Sequence, residues 1–242
     1  MQEKQSRVQA AHAATPHTVQ ELGEHLQARF DEVKPRLRGW LHAITSPLTV
    51  AAGIVLIALS PTAVTRIGST VFTITAALLF TVSAIYHRGT WSPRAWAFLR
   101  RFDHANIFLL IAGSYTPFTL LMLEGTDRVV LLSVVWGGAL LGMAFRVFWT
   151  DAPRWLYVPI YVALGWAAVF FLGDFARAST PEVLTLIVVG GVLYTLGGLI
   201  YGLKRPNPFP SWFGFHEVFH TLTIAAFITH YVGVSLATYS LR

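Results

Sequence analysis

Seven apolar stretches, each close to the length of a bilayer-spanning helix, constrain this chain more than any other feature. They fall at roughly 45–64, 70–88, 105–123, 129–148, 155–174, 183–203 and 216–236. A helix of about 20 apolar residues crosses the hydrocarbon core of a membrane. With 54% hydrophobic and 12% charged residues and a mean hydropathy of +0.55, the chain is too apolar for an ordinary soluble domain. A membrane barrel would need stretches of alternating apolar and polar residues, and these are absent. The expected fold is all-α, a polytopic bundle of seven transmembrane helices. Pro47 and Pro61 sit near the ends of the first stretch, while Pro117 and Pro159 are expected to kink or end local turns. Gly138-x-x-x-Gly142 and Gly198-x-x-x-Gly202 offer small faces for close helix approach.

Lysine and arginine set the expected orientation. With the N-terminus inside, the inner segments hold Lys4, Arg7, Arg29, Lys34, Arg36, Arg38, Arg88, Arg94, Arg100, Arg101, Arg146, Arg154, Lys204 and Arg205, which is 14 of the 18 basic residues. Only Arg66, Arg128, Arg177 and Arg242 fall outside. This bias predicts a cytoplasmic N-terminus and an external C-terminus. The net charge of +6 then reports topology and contact with anionic lipid. No basic–aromatic repeat suggests an RNA or DNA surface, so the expected partners are membrane lipids and not nucleic acid. The first 40 residues are polar and charged, so no cleavable signal peptide is expected.

Residues 1–38 read as a cytoplasmic N-terminal segment, and residues 39–242 as the seven-helix domain. Within the first, Thr18-x-x-Glu21 forms a capping-box pattern, with Val19, Leu22, Leu26, Phe30 and Val33 following at helical spacing. Pro35 should stop that helix. It reads either as an amphipathic helix that lies on the inner membrane surface or covers the bundle's cytoplasmic mouth, or as a packed lead-in with no role of its own.

The chemistry concentrates where apolar stretches meet charged loops. His216-x-x-x-His220 places two imidazoles on one helix face, a turn apart, where both can reach one metal ion. Under the expected topology the second stretch ends inside at His87, the third starts inside near Asp103, and the seventh starts inside with His216 and His220. All four side chains then share a depth near the cytoplasmic boundary. Ionisable groups at such depths are costly and often mark function. The chain has no cysteine, so a metal must be held by His, Asp, Glu or water. Three imidazoles with a water in the fourth position make the arrangement of a catalytic zinc. Asp103 could bond that water or orient a histidine, and Ser83, one turn deeper on the face of His87, could bind the water or a substrate oxygen.

Each residue has a plainer reading. His87 could meet lipid headgroups, Asp103 could cap its helix, Ser83 could bond back to its own turn, and the His216/His220 pair could be packing or a proton relay. His104 points about 100° away from Asp103 and stays outside the proposed site. His230 lies 14 residues beyond His216, about 21 Å along a helix, too far to share the metal. Glu217 projects off the His216/His220 face and is expected in solvent. His12, His17, His25 and His42 are assigned nothing.

The runs Ser83-Ala-Ile-Tyr-His87, Arg101-Phe-Asp103-His-Ala-Asn-Ile through Gly113-Ser-Tyr-Thr-Pro117, and His216-Glu-Val-Phe-His220 occur in that order. Together they resemble the hemolysin III branch of the progestin and adipoQ receptor (PAQR) family, over about residues 36–240. Lys34-Pro-Arg-Leu-Arg-Gly39 is similar to the bacterial members. The resemblance implies a Zn²⁺ site at the cytoplasmic end carried by His87, His216 and His220, with Asp103 and Ser83 beside its water. None of these five positions departs from the pattern. It also implies a function: zinc-dependent hydrolysis of a lipid amide, as in ceramidase-like relatives, on a substrate held in the bundle. The alternative is a receptor-like, non-enzymatic regulator of membrane lipid or energy homeostasis with structural zinc. A hemolysin-type pore is disfavoured, because seven built-in apolar helices describe a resident membrane protein.

Overall fold

The computed structural model describes residues 35–241, so the helix expected over 18–33 lies outside the described residues. Eight α-helices follow in order: α1 (Trp40–Ala58), α2 (Ala63–Arg88), α3 (Pro93–Met122), α4 (Gly125–Phe148), α5 (Arg154–Gly165), α6 (Leu172–Ala178), α7 (Pro181–Leu203) and α8 (Phe215–Tyr239). A 3₁₀ turn at Ala167–Phe171 joins α5 to α6, so these eight helices make seven spans long and apolar enough to cross a membrane. Among the described residues there is no β-strand, and a lone bridge pairs Phe209 with Phe213. The protein is an integral, multi-pass membrane protein.

Local chemistry sets the helix ends. Thr62 caps α2 in a reciprocal pair with Thr65: the Thr65 N–H donates to Thr62 Oγ1 (3.2 Å), and the Thr62 N–H to Thr65 Oγ1 (3.0 Å). Ser92 caps α3 and Thr180 caps α7, each followed by a proline whose missing N–H costs nothing at the first helical position. The first span starts earlier than hydropathy indicates: it runs from Trp40 to Ala58, with Pro47 inside it and Pro61 beyond its end. The third begins at Pro93 rather than near 105. Charged residues in its first turns lower the local hydropathy without breaking the helix.

α2 and α3 pack side by side at the centre of the bundle, with α1 against α2, α4 against α3, and α7 against α8. Their shared core includes Phe72, Phe80 and Phe227, whose rings stack or meet edge to face. The glycine pairs read from the sequence do take close neighbours. A Cβ on Gly142 would lie 2.2 Å from the Phe108 ring, and one on Gly138 would lie 2.7 Å from Leu164. Large side chains such as Leu141 and Phe148 point outward with most of their surface exposed, as lipid-facing residues do.

The fifth span is interrupted away from Pro159, the residue expected to kink or end it. It breaks after Gly165, whereas Pro159 is carried inside α5. Hydrocarbon offers nothing to bond a freed backbone group. The Tyr115 hydroxyl on α3 fills that role: it donates to the Gly165 carbonyl (2.6 Å) and accepts from the Ala168 N–H (3.0 Å). Because consecutive spans alternate in direction, the starts of α1, α3, α5 and α8 share one end of the bundle with the ends of α2, α4 and α7.

Tyr115→Phe should lower stability by about 2 kcal/mol, since two backbone groups lose their partner. The measurement is the thermal unfolding midpoint in detergent, and an unshifted midpoint would show that the break does not depend on Tyr115. The orientation is equally open to test, because the chain has no native cysteine. A membrane-impermeant maleimide added to intact cells should label Arg177→Cys and reach Arg94→Cys only after permeabilisation. The reverse pattern would invert the expected topology.

Candidate metal centre

Three helix ends bring the candidate residues together. His87 lies in the last turn of α2, Asp103 in the third turn of α3, and His216 and His220 in the first two turns of α8. The Nε2 atoms of His87 and His216 are 3.2 Å apart. One ligand nitrogen from each of His87, His216 and His220 falls within 4.8 Å of the other two. Zinc–nitrogen bonds of about 2.0–2.1 Å at tetrahedral angles place ligand nitrogens about 3.3 Å apart. Small side-chain shifts therefore suffice for the triad to close on one ion, and the donor set is of the right kind. Asp103 Oδ2 lies 3.9 Å from His87 Nε2, and the Ser83 hydroxyl interacts with the Asp103 carboxyl. Asp103 is not a helix cap, because α3 begins ten residues earlier and Ser92 caps it.

Other contacts hold the imidazoles in place. Sequence spacing puts Glu217 in solvent, and the structure corrects this. Glu217 is only 1% exposed, is ion-paired with Arg38, and accepts the Gly214 N–H at 2.9 Å. The Asn207 side-chain oxygen accepts the next N–H, that of Phe215, at 2.8 Å. Together they satisfy free donors at the start of α8 and fix the turn carrying His216. The segment before α1 is tied to the same loop: the Arg36 and Leu37 N–H groups donate to the Ser211 and Trp212 carbonyls, and the Arg36 guanidinium lies over Trp212. Gly39, with φ +82°, occupies the left-handed region where only glycine is relaxed, and a Cβ there would lie 2.7 Å from the Cβ of His87.

His42 is the residue that sequence reasoning missed. Its ring stacks on His220 with centroids 3.8 Å apart and planes 9° from parallel, and it meets Phe80 edge-on. Its one available signal was position, in the first turn of a span that starts earlier than hydropathy suggests. His104 is engaged outside the triad, its Nδ1 2.7 Å from the Arg100 carbonyl and its Nε2 3.3 Å from the Tyr201 hydroxyl. His230, far along α8, lies 3.2 Å from the Ile187 carbonyl.

Two cavities meet at the histidines. A narrow, mostly apolar cavity runs between α3, α5, α7 and α8, past Leu79, Ile107, Ile111 and Val158, as far as His230. A wider vestibule of about 710 Å³ opens at the bundle end. Asp103, His104, Tyr201 and His216 line both.

The family model "Haemolysin-III related" matches residues 30–231. The chain belongs to this family. Hemolysin-3 of Bacillus cereus is 29% identical to this haemolysin-III protein over 186 residues, 76% of this chain and 82% of the relative. The Hemolysin-3 homolog of Bacillus subtilis (strain 168) is 31% identical over 155 residues, 64% of this chain and 70% of the relative. More distant is the Adiponectin receptor protein of Drosophila melanogaster, 32% identical over 155 residues, which are 56% of this chain and 34% of that receptor. The match therefore extends from bacterial hemolysin III proteins to PAQR receptors.

Glu217→Ala should destabilise the haemolysin-III bundle by about 2 kcal/mol, a value kept below that of a fully buried pair because Arg38 is partly exposed. Thermal unfolding in detergent measures this. An unchanged midpoint would show that α8 is held without the ion pair.

Proposed function

We propose that this haemolysin-III protein binds zinc through His87, His216 and His220 and hydrolyses a lipid amide at the inner face of the bacterial cytoplasmic membrane. One observation carries the reading: three imidazole nitrogens and a carboxyl converge where an apolar cavity meets a polar vestibule. A lipid amide has that same division, with a hydrocarbon tail, a polar head and a carbonyl between them. A zinc ion at the triad would supply Lewis acidity, polarising a carbonyl oxygen and drawing the pKa of a water towards ~7.

The chain's own groups do the rest. Asp103 Oδ2, 3.9 Å from His87 Nε2, takes a proton from water at that spot and returns it to the leaving nitrogen. The Ser83 hydroxyl, 2% exposed and beside Asp103, orients that carboxyl and can donate to a substrate oxygen. Leu79, Ile107 and Ile111 line the apolar side of the junction and exclude water from the tail, which strengthens each polar contact nearby. Stacked His42 and the Glu217-anchored turn hold the imidazoles, a supporting role of the kind that tunes metal affinity.

A second reading is a non-enzymatic regulator of membrane lipid or energy state with structural zinc. The short Asp103–His87 distance favours it, because a carboxylate that close could complete a four-ligand, closed site.

Purified protein, screened against lipid amides by mass spectrometry with metal analysis, separates the two. Under the hydrolase reading Asp103→Asn keeps zinc and fold while turnover falls by about 10²- to 10⁴-fold; undiminished turnover would remove Asp103 from the chemistry. Under the structural reading chelation lowers the unfolding midpoint and no amide is ever cleaved. His220→Ala should lose stoichiometric zinc, and full occupancy in that variant would count against the triad.

A further inference from the structure

Among the described residues, the vestibule contains two arginines that no acid neutralises. Five basic side chains line it, from Arg38, Arg100, Arg146, Arg154 and Lys204, together with the acids Asp103 and Asp151. Arg38 is ion-paired with Glu217, and Arg100 with Asp151 at 3.0 Å. Asp103 sits beside His87. Among the described residues, neither Arg146 nor Arg154 pairs with a carboxylate.

Arg146 is the more telling of the two. It is 1% exposed and the largest fully buried side chain in the bundle. One Nη donates to the Trp149 carbonyl at a long 3.4 Å, the guanidinium lies 4.2 Å from the centre of the Tyr157 ring, and Nε has no partner. A guanidinium carries five N–H donors, so most of its capacity is unspent. Arg154 is half-buried: Nη1 donates to the Tyr201 carbonyl at 3.2 Å, and its guanidinium lies over the Tyr201 and Phe215 rings. Ring contacts and single carbonyls offset only part of the cost of burying a charge. The helix dipoles divide: Arg146, in the last turn of α4, is favoured there, but Arg154 sits in the first turn of α5, an end that attracts anions and repels cations.

We propose that Arg146 and Arg154 form an anion-binding subsite that takes the head of an amphiphile bearing a carboxylate or phosphate. The two cavities supply the rest of its shape. They join at Asp103, His104, Tyr201 and His216, so one molecule can place its anionic head at the arginines, its linkage at the histidines and its tail in the apolar cavity. From His216 to His230 that cavity follows α8 for about 21 Å at 1.5 Å per residue, the length of a long acyl chain. The position of the linkage rests on the lipid-amide hydrolase reading; the anion subsite does not. It adds a substrate class to that reading: acyl amides of acidic head groups over neutral ones.

Two amides with the same tail test this, N-palmitoylglycine (anionic) and N-palmitoylethanolamine (neutral), with inorganic phosphate as a third probe. The full chain is reconstituted in nanodiscs of zwitterionic phosphatidylcholine, equilibrium binding is measured at low and high salt, and cleavage of both amides is followed in the same samples. The glycine conjugate should bind at least tenfold more tightly, the preference should shrink with salt, and phosphate should compete. Arg154→Gln should bring the two affinities together. Arg146→Gln should do the same if it folds, while the exposed Arg94→Gln, outside the vestibule, leaves the preference intact. The salt dependence needs no variant, so a misfolded Arg146→Gln leaves the test standing. Equal affinity for both amides with no phosphate binding overturns the anion subsite and leaves the hydrolase reading untouched. Phosphate binding that needs Arg154, without preference between the amides, overturns the amphiphile and identifies a site for free phosphate. Selective binding of the glycine conjugate without cleavage of either amide supports the subsite and defeats the hydrolase reading.

Discussion

Hydrocarbon has no hydrogen bonds to offer a peptide group, so any chain that stays within it must satisfy its own backbone. The helical bundle follows from that constraint. The constraint also explains the one place where the backbone departs from helix. The break after Gly165 lies against α3, and a single phenolic oxygen, that of Tyr115, serves both a freed carbonyl and a freed N–H. Gly165 of the broken span and Tyr115 of α3 both line the apolar cavity. The cavity, the break and the hydroxyl thus form one feature.

The second constraint is the cost of burying charge. The chain meets it by pairing the buried Glu217 with Arg38, while Arg100 pairs with the exposed Asp151. The first of these pairs spans 179 residues and ties the entry to α1 to the start of α8, so that His42, stacked on His220, and His216 sit on mutually braced turns. A shared bracing of this kind matters for metal ligation, where ligands gain affinity from being held before the ion arrives. Arg146 and Arg154 are the pair that the chain leaves to rings and carbonyls.

Much of the candidate site was legible because topology is a counting problem. Once seven spans are read, alternate direction places His87, Asp103 and His216 at one end with no knowledge of packing. The structure does bring them together, along with His220 and Ser83. Glu217 was misread for a specific reason. Helical spacing shows that it leaves the His216/His220 face, but whether that other face meets solvent or a neighbour depends on Arg38, which arrives from the far end of the sequence. His42 escaped notice because the apolar stretch seemed to begin at 45, which made it look like part of the leader. The interruption of the fifth span was expected at Pro159 and falls after Gly165 instead, because hydropathy does not locate a satisfied break within a helix.

The sequence alone determined that this is a seven-span membrane protein of the haemolysin-III family. It also determined which residue types could hold a metal, since apolar length, alternation and cysteine content are properties of the chain in one dimension. Tertiary structure decided the rotation of each helix about its own axis, and with it which side chains touch. That rotation put the imidazole nitrogens of α2 and α8 within reach of one another, turned Glu217 inward to Arg38, laid His42 on His220, and buried Arg146 in a vestibule beside the site. Such choices come from close packing of side chains on neighbouring helices, which no single helix's periodicity encodes.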